Sequence, residues 1–192
     1  MKLNKQTLFF ALLVIAITTV VKLLCAPLLN FSGFTAVIAV ALFSGLMIKD
    51  PKQAFLFPLL ALFISDVLVQ VFYKAGWFPF AGFYQGQLIN YSLFILLTGL
   101  GMLMKNFRTT GMVLSIVLGP VAFFFISNYF VWANQGTTLA YSKDISGLMA
   151  CYTAGIPFYK NSLVSTIIFL PSFMVLYQWI VSGKTFIKAI FG

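Results

Sequence analysis

The sequence has no histidine and no glutamate, and its only carboxylates are Asp50, Asp66 and Asp144. Paired carboxylates for general acid–base work and a Ser-His-Asp arrangement are therefore unavailable, and the chain is expected not to be an enzyme. Its two cysteines, Cys25 and Cys151, sit in apolar surroundings. Without histidine or a CxxC pair they form no metal site, so neither metal nor cofactor is expected. No glycine-rich phosphate loop is present either, so the chain would not drive its own transport with ATP. Charge of any kind is scarce, 8% of residues against about 25% in soluble domains.

What is abundant is apolar. Hydrophobic residues make up 61% of the chain and the mean hydropathy is +1.03, which points to an integral membrane protein. The apolar residues come in runs near the roughly 20 residues a helix needs to cross a bilayer. Backbone amides in lipid must be satisfied within their own helix, so the class is all-α and polytopic. Six spans fit best, near Thr7 to Leu28, Phe34 to Ile48, Gln53 to Tyr73, Gly86 to Met104, Thr110 to Trp132 and Asn161 to Val181. The second is short. The segment Ile145 to Phe158, interrupted by Gly147, Gly155 and Pro157, is expected to be a short interfacial or re-entrant helix before the last span.

The net charge of +9 raises nucleic acid as a partner, but the basic residues lie between the apolar runs and belong to a bilayer protein. Lys2 and Lys5 precede the first run, which lacks a small-x-small site after it and is read as an uncleaved span. Eight basic residues, Lys2, Lys5, Lys49, Lys52, Lys105, Arg108, Lys184 and Lys188, fall at one set of helix ends, and four, Lys22, Lys74, Lys143 and Lys160, at the other. That asymmetry predicts cytoplasmic termini for a single domain over 1–192. The larger loops, Lys74 to Gln85 and Ala133 to Asp144, then face outward.

One carboxylate falls inside a span. Asp66 lies 13 residues from Gln53 and Lys22 lies 15 from Thr7, heights of about 20 and 22 Å at a rise of about 1.5 Å per residue. A charge at such depth costs roughly 2.5 to 3.5 kcal/mol unless it is paired or faces water, so the two are expected to meet or to share a hydrated cavity. Asp66, Gln70 and Tyr73 follow helical spacing on one face. Gln87, Asn90 and Tyr91 open the fourth span, Asn128 and Trp132 close the fifth, and Asn161, Ser162, Ser165 and Thr166 open the last. Such groups serve as interhelical glue, yet their convergence at one depth around an ionisable residue favours an outward-facing ligand pocket. Its candidate substrate-binding residues are Asp66, Lys22, Gln70, Gln87, Asn90, Asn128, Trp132, Tyr152, Asn161, Trp77 and Tyr84. The aromatic members also suit a headgroup-level belt. Ala41 and Gly45 form a small-xxx-small pair that serves helix packing or docking onto a partner.

Ser65-Asp66, the run Ser127 to Trp132, and Gly147 to Tyr152 followed by Ile156 to Asn161 together resemble the bacterial membrane family DUF6580. That family is in turn similar to the six-helix substrate-binding S components of energy-coupling-factor (ECF) transporters. The resemblance implies a protein that binds a vitamin-like small organic ligand, aromatic or cationic in part, on the outer side. It also implies uptake by docking to an ECF-type coupling subunit powered by ATPases. The AxxxA docking motif of S components is not matched, since Ala11 and Ala16 are five apart, and the Met-His start of metal-carrying members is absent. A role as an accessory or structural subunit of another inner-membrane complex is the alternative.

Overall fold

A computed structural model describes residues 5–84, 86–134 and 141–183. Lys2, Lys184 and Lys188, Gln85, the Arg108 side chain and the middle of the loop before Asp144 lie outside the described residues. The described residues form six α-helices: α1 (Lys5–Cys25), α2 (Val37–Met47), α3 (Pro51–Lys74), α4 (Gln87–Met104), α5 (Arg108–Asn134) and α6 (Ile145–Ile180). Five of them, all but α2, are long and apolar enough to cross a membrane. This is a helical membrane protein.

The second expected span is the first correction. α2 has 11 residues, about 16 Å at about 1.5 Å per residue, half a hydrocarbon core of about 30 Å. Residues Val37 to Leu46 are all buried. A helix apolar all round belongs in the interior, and α2 is enclosed by α3, α4, α5 and α6. Its small residues work inside the chain. A Cβ on Gly45 would lie 2.1 Å from the Thr98 carbonyl oxygen, and one on Gly101 would lie 2.5 Å from that of Leu42. The Ala41 and Gly45 face is therefore the seam between α2 and α4, not a surface open to a partner.

The expected separate helix before the last span is the second correction. Ile145 to Phe158 is the first part of α6, which runs unbroken for 36 residues through Pro157. The glycines read as breakers are places of close approach. A Cβ on Gly155 would meet Asn128 Oδ1 at 2.5 Å, so α5 needs that gap. Membrane helices tolerate proline because neighbours re-satisfy the freed backbone.

Asp50 caps the N-terminus of α3 by accepting from Gln53 N at 3.2 Å, with Pro51 in the first turn. Asp144 caps α6 by accepting from Gly147 N at 2.8 Å. Both relieve orphan amides at helix starts.

The half of the bundle that holds the start of α1 and the end of α6 has an aromatic core around Phe43. Its ring lies 5.3 Å from Phe10, 5.5 Å from Tyr177 and 6.4 Å from Phe173. The opposite half is different because α2 does not extend into it. The chain from Ala26 to Ala36 crosses that space as a loop holding a single 3-10 turn, Leu29–Phe31. Its backbone carbonyls are taken up by α6: Asn161 Nδ2 donates to Asn30 O at 2.9 Å and to Ser32 O at 2.8 Å, and Ser162 Oγ donates to Gly33 O at 2.9 Å.

Candidate functional site

Where α2 stops short, a cavity of about 470 Å³ opens between α1, α3, α4, α5, α6 and the Ala26 to Ala36 loop. At its side Asp66 of α3 and Lys22 of α1 form an ion pair. Asp66 accepts further bonds at Oδ2, from Gln87 Nε2 at 2.5 Å and from the Tyr91 hydroxyl at 3.0 Å. Each donor to a buried carboxylate offsets part of its desolvation. The carboxylate is sealed, with 2% of its side chain exposed, whereas 24% of Lys22 remains accessible.

Gln87 links the ion pair to the loop between α3 and α4, since its Nε2 also lies 3.4 Å from Gly82 O and its Oε1 accepts from Tyr84 N at 3.4 Å. Tyr84 in turn accepts a bond from Asn90. Burial raises the Tyr84 phenol above its ordinary value, with the Asn90 bond opposing and the Asp66 charge adding, so the hydroxyl stays neutral. Most of the remaining lining is aromatic: Phe31, Phe34, Phe94, Phe123, Phe124, Phe158 and Tyr159. Ser127, Asn128 and Ser162 add polar atoms there.

Six of the eleven candidates, Lys22, Asp66, Tyr84, Gln87, Asn90 and Asn128, line this cavity. The other five are elsewhere. Gln70 is a loop staple: its Oε1 accepts from Gly82 N at 2.9 Å and Phe83 N at 3.2 Å. Asn161 faces the loop backbone rather than the cavity. Tyr152 donates to Phe125 O at 3.0 Å and tiles the α5–α6 seam. Trp132 donates to Ser142 O at 2.9 Å and lies under the Lys143 ammonium. Trp77 is exposed and stacks on Phe72. A phenylalanine lining gives no signal in a chain with 23 of them. Among the described residues Ser115 Oγ is buried without a hydrogen-bond partner; its own backbone does not satisfy it, unlike that of Thr98.

The model of a family of unknown function, DUF6580, matches residues 1–188. No curated protein and no solved structure matches the chain.

Proposed function

We propose, for a chain that belongs to the DUF6580 family, a role as a membrane transport protein that binds a small organic nutrient and has no ATPase of its own. The observation that carries this reading is the cavity of about 470 Å³, within the roughly 300 to 1,000 Å³ typical of ligand sites. Its makeup supports it too, an aromatic lining with a few polar groups among it. Most membrane-protein interiors close such space with side chains, because a void forfeits packing contacts. Here the loop that replaces the outer half of α2 keeps the space open. The positive-inside count sets the cavity on the outer side, where a nutrient arrives. An ECF-type coupling subunit with its ATPases would supply the energy, as the likeness to S components suggests.

The test is mass spectrometry of small molecules retained by the protein after gentle solubilisation, beside Ser127→Trp, which fills the cavity. A compound enriched with wild type and absent from the variant supports the reading. Identical profiles for the two proteins sink it. Copurification in the same sample addresses the coupling subunit: ATPases should accompany the chain, and an unrelated complex in their place would argue for an accessory subunit.

A further inference from the structure

The reading of the cavity as a ligand site leaves open what chemistry it selects, and the way the ion pair is mounted bears on that choice. Asp66 is spent on the protein. Its Oδ1 meets Lys22, its Oδ2 takes bonds from Gln87 and Tyr91, and its side chain is 2% exposed. A ligand cation therefore has no route to the carboxylate and would instead face an ammonium. Lys22 differs. One of its three protons is directed at Asp66, the residue lines the cavity and about a quarter of its side chain is accessible, so donors remain for a ligand.

Charge balance narrows the class further. Lys22 and Asp66 sum to zero, and among the described residues no other charged side chain lines the cavity. An anion bound at Lys22 would bring a second negative charge close to Asp66 in a medium of low dielectric, where like charges are costly. A neutral acceptor meets the ammonium without that cost. Phe34, Phe94, Phe123 and Phe124 border the same space and suit a flat ring.

We infer that the cavity selects an electrically neutral, flat aromatic or conjugated molecule whose carbonyl-type acceptor receives a hydrogen bond from Lys22. Asp66 is the positioning residue that cancels the lysine charge. This rests on the cavity being a ligand site.

Three probes share one ring and differ in charge: indole-3-acetamide, indole-3-acetate and tryptamine. Their affinities are measured by calorimetry on the full chain in lipid nanodiscs. Wild type should bind the acetamide about tenfold more tightly than either charged probe, since the acetate meets the charge of Asp66 and tryptamine that of Lys22. Asp66→Asn frees the lysine charge and should move first place to the acetate. The double variant Lys22→Gln with Asp66→Asn keeps the site neutral should the single variant fold poorly. It should keep the acetamide first but bind it about tenfold more weakly than wild type. Tryptamine or the acetate binding tightest to wild type overturns the inference, as does undiminished acetamide binding by the double variant. In those cases the cavity reading stands, provided Ser127→Trp abolishes binding. If no probe binds wild type, or Ser127→Trp leaves binding intact, the inference and the cavity reading both fall.

Discussion

Each of the three carboxylates has a structural duty, and these duties make separable predictions. Replacing Lys22 by Met leaves Asp66 buried without its counter-ion, which costs about 3 to 5 kcal/mol. Adding Asp66→Leu should recover part of that loss. A double-mutant cycle on thermal unfolding reads the coupling, and strictly additive changes would mean that the pair does not interact. Asp144 acts through pH. The Ser142 hydroxyl and the Gly147 amide hold its carboxyl below the ordinary value. A group lowered in this way contributes stability above its unfolded pKa of about 3.9 and loses it as pH falls through the lowered value. Protection of the Gly147 amide against hydrogen exchange, corrected for intrinsic rates, should therefore collapse in acid below that point. In Asp144→Ala it should be low at every pH. The pairing of Asp66 with Lys22 was legible in sequence because helical rise converts residue number into depth. The role of Gln70 was not, since helical spacing gives its face but not the loop that folds down onto it.

At the scale of elements, α2 and α4 test whether close backbone approach matters. Gly45→Ala places a methyl 2.1 Å from a backbone oxygen, so the helices must part, at a cost of about 1 to 3 kcal/mol. Gly99, on the same α4, has open space around its missing Cβ. Gly99→Ala should be neutral or slightly stabilising, since alanine is the better helix former by about 1 kcal/mol. Equal loss from the two substitutions in thermal unfolding would argue against the packed seam. Existence and order of the helices were readable from the lengths of the apolar runs. The continuity of α6 was not, because Gly147, Gly155 and Pro157 carry the same letters whether they end a helix or make room for Asn128. Nor does distance from a loop give a common depth when helices differ in length. α5 is about 40 Å and α6 about 54 Å long, against about 27 Å for α4, which is why Trp132 and Tyr152 sit apart from the cavity that Gln87 reaches.

For the whole molecule, the prediction concerns sidedness. Single cysteines at Lys52, in the first turn of α3, and at Gly76, after α3, in a background without Cys25 and Cys151, should react from opposite sides of the membrane with an impermeant maleimide. The basic residues place Lys52 inside and Gly76 outside. The reverse pattern would turn the cavity toward the cytoplasm and exclude uptake of an external nutrient through it. The shortness of α2 also bears on how the chain is made. At about 16 Å it cannot hold a place across the bilayer alone, and α4, which packs along its small-residue face, is synthesised after it. α1 and α3 can insert as each emerges, but α2 has mainly α3 to pack against until α4 follows. A chain truncated before α4 should therefore be degraded even though its first long helices are intact.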